Sequence, residues 1–154
     1  MITSLRLFVV VFVLSALAGC GAPTHPINPP NASIQQLNAL PDGRWKLQIR
    51  LENFSDKTVH YATFKAALRV GGVAAADIAL NPDMDIPGDN ADVVETTLAP
   101  STDARKAFAD DVKQPGGAPY ELSGTINIPA AGKDYKFEHK SRLSPVPGIA
   151  DQYR

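Results

Sequence analysis

The sequence predicts an all-β protein, a β-sandwich of the immunoglobulin or fibronectin III kind with about seven strands and one short α-helix. Apolar and polar residues alternate with period two along several segments. Clusters of Pro, Gly, Asn and Asp separate those segments, and one stretch has the apolar spacing of a helix instead. Strands of this kind bury one face each, which two packed antiparallel sheets achieve.

The first two strands are predicted on either side of Pro41-Asp42-Gly43. Residues 33–40 alternate imperfectly, whereas Trp45 to Leu51 is apolar at every odd position and polar at every even one. Pro supplies a fixed φ and Gly a positive φ, so we expect this tripeptide to close a hairpin.

A long strand is predicted from Thr58 to Val70, with its even positions, His60 among them, on one buried face. Gly71-Gly72 predicts a hairpin to a shorter strand over 73–80. The acidic stretch 83–90 is expected to be a loop. Residues 91–98 are rich in β-branched side chains and predict a further strand.

Residues 101–112 predict the single helix. Ser101 or Thr102 can accept hydrogen bonds from its first amides, and Ala104, Phe108 and Val112 share one face.

Two alternating strands follow the helix, through residues 120–128 and 135–143, joined by a turn at 129–132. Pro145 and Pro147 then keep the chain extended and outside any central strand. A single cysteine excludes the intersheet disulfide of true immunoglobulin domains.

The N-terminus predicts export. Arg6 precedes the apolar run Leu7 to Leu17, and small residues come before Cys20, as in a secretory signal peptide. As a helix the run would span roughly 16 Å, against a hydrocarbon core of about 30 Å. It is therefore too short to remain as a membrane span.

The tetrapeptide Leu17-Ala18-Gly19-Cys20 resembles the lipobox of bacterial lipoproteins. That resemblance implies cleavage before Cys20 and acylation of its thiol, which would attach the chain to a membrane. Gly21 stands where an aspartate would imply retention in the inner membrane, so the expected location is the outer membrane, facing the periplasm. The alternatives are a retained transmembrane anchor and an ordinary cleaved signal with a free thiol.

The predicted organisation is a signal peptide over 1–19, a lipidated cysteine with a Pro-rich tether over 20–32, a sandwich over 33–148 and a tail over 149–154. The 15 basic residues include Arg6, so the chain after the signal has 14 basic and 16 acidic side chains. This near balance leaves no electrostatic footprint for nucleic acid.

A series of landmarks follows in order along the folded part: Leu47 to Asn53, Val59 to Gly72, Ile86-Pro87, a helix near Phe108, Tyr120 to Ile126 leading on to Phe137, and Pro145-Val146-Pro147. In this order they resemble the late embryogenesis abundant group 2 domain, also called the WHy (water stress and hypersensitive response) domain. The family commonly has Asn-Pro-Asn where this chain has Asn53-Phe54-Ser55. The resemblance implies a non-catalytic, seven-stranded sandwich associated with desiccation and stress tolerance.

A calcium site is the first chemistry to consider, in the loop that contains Asp83, Asp85 and Asp89. Hard cations require several oxygen ligands from a short loop. Compared with an EF-hand, the loop has acids at positions 1 and 3 and glycine at position 6, but Pro87 occupies position 5 and Val94 position 12. We therefore expect a solvated acidic loop and no metal site.

Catalysis is the second possibility, because His60 and His139 are both predicted to face inward and could join Ser123, Ser141 or an aspartate in a triad. No Gly-x-Ser-x-Gly elbow and no His/Cys cluster with zinc-ligand spacing accompanies them. Structural histidines are expected, without enzymatic activity or a cofactor.

The expected function is therefore that of an envelope-anchored binding or protective module with a protein client. The alternative is an accessory lipoprotein that docks on one specific envelope complex.

Overall fold

The computed structural model describes residues 26–154. The strands of this part of the chain are β1 (Asn31–Ala39), β2 (Trp45–Asn53), β3 (Val59–Tyr61), β4 (Thr63–Val70), β5 (Val73–Leu80), β6 (Met84–Ile86), β7 (Asn90–Leu98), β8 (Ala118–Ile128), β9 (Lys133–Leu143) and β10 (Gln152–Tyr153). The helix α1 spans Thr102–Asp111, and a 3₁₀ turn spans Pro129–Ala131.

These strands form two four-stranded antiparallel sheets and a two-stranded ribbon. The first sheet has the order β10-β1-β2-β7, the second has the order β5-β4-β8-β9, and β3 pairs with β6. The inner faces of the two sheets share one apolar core, in which the rings of Phe64 and Phe137 stack with centroids 5.5 Å apart. The predicted all-β sandwich is confirmed.

The predicted turns and helix also form. Leu40 N donates to Arg44 O across the hairpin between β1 and β2. The Ser101 hydroxyl accepts from Ala104 N at 3.2 Å at the start of α1. Ala104 and Phe108 are buried on one face of the helix, as their spacing predicts.

The single strand predicted from Thr58 to Val70 is wrong. The chain bends at Ala62, whose amide donates to Asn127 O at 3.1 Å, and passes from the ribbon (β3) into the second sheet (β4). Before the bend the odd residues Val59 and Tyr61 are buried, and after it the even residues are. A one-residue shift in a period of two reverses the faces, so His60 points outward.

Two short strands occupy segments for which none was predicted. Residues 84–86 of the expected acidic loop form β6. Gln152 and Tyr153 of the expected tail form β10, which pairs with Asn38 and Leu37 of β1. Neither segment has enough residues for alternation to be visible in the sequence.

The two ends of the sandwich differ in what closes them. At one end, here called the helix end, Phe108 of α1 packs between Trp45 and Tyr153, with ring centroids 5.2 and 4.8 Å away. The opposite end, here called the tether end, contains the turn after β2 and the segment that leads into β1. No helix within residues 26–154 is long and apolar enough to span a bilayer.

Candidate functional site

The tether end is organised around the buried side chain of Asn53. Its Nδ2 lies 2.8 Å from Lys57 O, 2.9 Å from Ile86 O and 3.0 Å from Pro87 O. Its Oδ1 accepts from Ser55 N at 2.9 Å. One amide therefore joins the turn after β2 to the turn after β6, and satisfies backbone groups that water does not reach.

The segment before β1 is attached to the same turn. Asn28 donates from its backbone amide to Ser55 Oγ at 3.0 Å and from Nδ2 to Phe54 O at 2.6 Å. The Tyr135 hydroxyl donates to Ile27 O at 3.1 Å. The first described residues are thus fixed to the tether end. Leu17, Ala18, Gly19 and Cys20 lie outside the described residues, and their lipobox function stays a prediction.

The three aspartates of the calcium hypothesis do not contact one common partner. His60 lies between two of them, with Nδ1 2.9 Å from Asp85 Oδ1 and Nε2 3.2 Å from Asp83 Oδ1. The hydrogen bond with Asp85 raises the pKa of His60 above its ordinary value. Asp89 instead uses its backbone amide, which donates to Ser55 O at 2.9 Å.

Backbone packing accounts for the glycine in this loop. A Cβ on Gly88 would lie 2.6 Å from the carbonyl carbon of Asp56, closer than real Cβ atoms come to a backbone atom. Gly88 therefore permits the two turns to meet. Within residues 26–154, no group of three or more His, Cys, Asp or Glu side chains is arranged to hold a metal ion.

The residues considered for a catalytic triad are divided among three strands, with His60 on β3, Ser123 on β8, and both His139 and Ser141 on β9. His60 is in the ribbon and half exposed, which corrects its predicted inward position. His139 is half-buried on β9, where Nδ1 is 3.4 Å from Asn31 Nδ2 and its ring lies beside Tyr120. Ser123 lies in the middle of β8, where it pairs with Glu138.

The edge strand β7 offers a row of unpaired backbone groups. Leu40 and Arg44 are a hydrogen-bonded pair. Because such pairs alternate along an antiparallel ladder, the backbone N–H and C=O groups of Lys46 and Gln48 point toward β1. The intervening residues of β2 must bond to β7. Their partners there are Val94, Thr96 and Leu98, as the register shows.

The residues between those partners point their backbone groups away from the sheet. Val93 agrees with this, because its amide donates to Oδ1 of Asp92 at 2.7 Å. Ala91, Glu95 and Thr97 have the same orientation. Within the described part of the chain, β7 pairs with β2 alone. This outward row is called the β7 edge below.

The corresponding edge of the second sheet is partly covered. Ser101, which follows β7, donates from its backbone amide to Ala75 O at 2.9 Å and from its hydroxyl to Ala74 O at 2.7 Å. One residue thus caps α1 and occupies acceptors of β5. Of these two edge strands, β7 is the more open to a partner.

Sequence reasoning predicted the β7 strand but missed its position at an edge. Strand order depends on contacts between distant segments, which no local pattern records. One signal was present: residues 91–98 alternate weakly and contain Asp92 and Glu95, and charged residues at such positions are typical of edge strands.

Comparisons with known proteins extend the fold assignment. No protein-family model and no curated protein matches the chain. The solution structure of an Arabidopsis thaliana protein is similar, with a TM-score of 0.50 and 12% identity, covering 84% of this chain and 92% of that one. At this identity the likeness shows a shared fold and nothing about function.

Two further structures are similar at lower scores. A crystal structure of a protein from Archaeoglobus fulgidus has a TM-score of 0.46 and 12% identity, covering 75% of this chain and 94% of that one. The solution structure of a candidate late embryogenesis abundant (LEA) protein has a TM-score of 0.44 and 17% identity, covering 91% of this chain and 79% of that one. The solved structures similar to this chain thus include one described as LEA-like.

Proposed function

We propose that this protein is a non-catalytic binding module that holds extended segments of envelope proteins on the β7 edge and protects them under water stress. The observation that carries the proposal is the row of outward backbone groups at Ala91, Val93, Glu95 and Thr97. An extended segment that pairs with these groups would add a strand to the first sheet.

The side chains along the β7 edge indicate which residues a bound client strand would carry. Val93 and Val94 are half-buried and provide apolar contacts for a neighbouring strand. The exposed carboxylate of Asp92 favours a basic residue in that strand, whereas the carboxylate of Glu95 already pairs with Lys46 of β2 at 2.8 Å. Asp92 also occupies the Val93 amide, which a client would have to displace. This protection keeps pairing reversible, because the edge is not freely available to any passing strand.

The proposed anchor is lipid on Cys20. Asn28, where the chain is bonded to the tether end, lies eight positions after Cys20. At about 3.1 Å per residue in polyproline geometry, the linker reaches roughly 25 Å. The tether end would then face the lipid. The β7 edge, which runs from the tether end toward the helix end, would stay accessible along the side of the sandwich.

The protective role rests on the WHy resemblance, and drying of cells tests it. A strain without this protein should survive drying and rehydration less well than its parent. Thr97→Pro removes an outward amide without touching a β2 bond, so it should fail to restore survival. Thr97→Ala, the matched control, should restore it. Unchanged survival of the deletion strain would contradict the stress role.

The anchor and the client are tested separately. Cys20→Ala should release the protein from membranes in a high-salt wash while the sandwich stays folded, as measured by fractionation and circular dichroism. Retention in the membrane fraction would contradict the lipid anchor. Crosslinking of the full chain in cells should capture many clients. A single stoichiometric partner, retained by Thr97→Pro, would favour the accessory lipoprotein instead.

A further inference from the structure

A cavity of about 370 Å³ lies on the outer face of the second sheet, toward the helix end. Three cationic side chains line it, Arg69 of β4 and Lys140 and Arg142 of β9, together with one carboxylate, Glu121 of β8. The remaining wall residues are Gly72, Pro119, Tyr120 and Ser141. This volume is within the range of small-ligand sites.

The register shows how the sheet brings these residues together. Arg69 pairs with Glu121, which pairs with Lys140 on the next strand, so the three form one row across the outer face. Arg142 pairs with Pro119, which lies two positions before Glu121 in β8. The two guanidinium groups therefore come from the outer strands of a three-strand surface and flank its middle strand.

Neutral backbone carbonyls hold both arginines in place. Arg142 donates from Nε to Gly116 O and from Nη2 to Gly117 O, both at 2.6 Å. Arg69 donates from Nη2 to Gly72 O. These bonds fix the direction of each planar group but leave its positive charge uncompensated, and each group keeps further N–H donors.

The nearby glutamates pair with Lys140 and not with either arginine. Glu138 and Glu121 lie 2.6 and 3.6 Å from Lys140 Nζ. Asp111 lies against Gly71, at the side of the β4–β5 turn next to α1, and does not line the cavity. The protein is acidic overall, yet Arg69 and Arg142, neither of which forms an ion pair within the described residues, line the same cavity.

We propose that this cavity binds the oxyanion group, a phosphate or carboxylate, of a small solute, with Arg69 and Arg142 as its charged donors. Guanidinium groups form charge-assisted, often paired hydrogen bonds with such groups. Pro119 offers an apolar wall to the rest of the ligand. The cavity is at the end of the second sheet away from the bonded N-terminal segment, which favours a solute over a lipid headgroup of the anchoring membrane.

Titration of the full chain in nonionic detergent tests this site. Sodium phosphate and sodium acetate are added at constant ionic strength against sodium chloride, and amide NMR shifts are followed. Shifts at Gly72, Gly116 and Gly117 that saturate with phosphate or acetate, and not with chloride, are expected. Arg69→Gln should weaken binding about tenfold, the loss expected from one charge-assisted hydrogen bond.

Two variants control for folding and for general charge. The Arg69 side chain is exposed and donates to the turn at Gly72, so Arg69→Gln should fold even if Arg142→Gln disturbs the loop at 116–117. Lys136→Gln removes a cation from β9 outside this cavity and should leave binding unchanged. Absence of anion-specific shifts, normal binding by Arg69→Gln, or an equal loss in Lys136→Gln would each overturn the proposal.

A competition experiment with lipid vesicles distinguishes a solute from a lipid headgroup as the source of the phosphate. Vesicles of phosphatidylglycerol should not compete with inorganic phosphate for the wild-type protein. Competition that depends on Arg69 would instead identify a lipid headgroup as the ligand and overturn the assignment to a solute.

Discussion

The helix end and the tether end of the sandwich are closed by different kinds of interaction. At the helix end, Phe108 fills the opening between the sheets and packs on Trp45 and Tyr153. At the tether end, the buried amide of Asn53 bonds to three carbonyls and one N–H group. One end is closed by aromatic packing and the other by a hydrogen-bond network.

The difference follows from the local chain geometry. A helix has its own backbone hydrogen bonds and can present an apolar face to the opening. Two irregular turns that meet back to back have unpaired carbonyls, so they require a buried donor. A hydrogen-bond network of this kind fixes the two turns in one arrangement.

The largest expected effect is at the helix end. Phe108→Ala removes a buried ring from between two aromatic neighbours and should lower the free energy of unfolding by about 3–5 kcal/mol. Urea unfolding measures it. Phe54→Ala is the matched control at the tether end, because Phe54 is 49% exposed and its contact uses the backbone carbonyl. That control should change stability by less than about 0.5 kcal/mol.

A comparable loss in both phenylalanine variants would contradict this assignment. It would mean that the Phe54 ring contributes to the core and that the two ends are less different than their packing indicates.

The next effect is at the tether end. Asn53→Ala leaves Ile86 O and its neighbouring carbonyls without their donor, which should cost about 1–3 kcal/mol in urea unfolding. Asn53→Asp keeps the shape but replaces a donor with an acceptor, so it should cost more. Asn81→Ala, at an exposed position after β5, is the control and should be near neutral. Equal stability of Asn53→Asp and the wild type would exclude the donor function.

The smallest effect concerns His60, on the outer side of the tether end. Because its folded pKa is raised above 6.5, its interaction with Asp85 and Asp83 stabilises the fold fully below pH 6.5. This contribution is lost as the pH rises through the folded pKa. NMR titration of the His60 ring should give a midpoint above 6.5, and Asp85→Asn should lower it. A midpoint at or below 6.5 in the wild type would show that the carboxylates do not hold the imidazolium.

The helix end was the easier end to predict from sequence. Ser101, Ala104 and Phe108 lie within two turns of one helix, so local spacing predicted the buried face and limited the cap to Ser101 or Thr102. The tether end was not predictable in this way. In the sequence Asn53 stands out only as the end of one landmark of the WHy resemblance, because its partners Ile86 and Pro87 lie more than thirty positions away in the chain.

The two proposed binding surfaces were equally hard to predict from sequence. Val93 and Thr97 were placed on a strand, but the strand order that leaves them at an edge comes from β2 pairing with β7 across the intervening strands. Arg69 and Arg142 gave no signal in the sequence, since they are 73 positions apart and meet only because β4 and β9 both flank β8. A local pattern carries no information on such neighbours.

The sequence by itself determined the fold class, seven long strands, the hairpin turns and the capped helix, because alternation, turn chemistry and helix spacing act between residues that are close along the chain. The tertiary structure decided the bend at Ala62, the direction of His60, the network around Asn53 and the exposure of β7. It also brought Arg69 and Arg142 to one cavity. Each of these depends on which sheet a segment joins, and that choice is set by burial of the core as a whole.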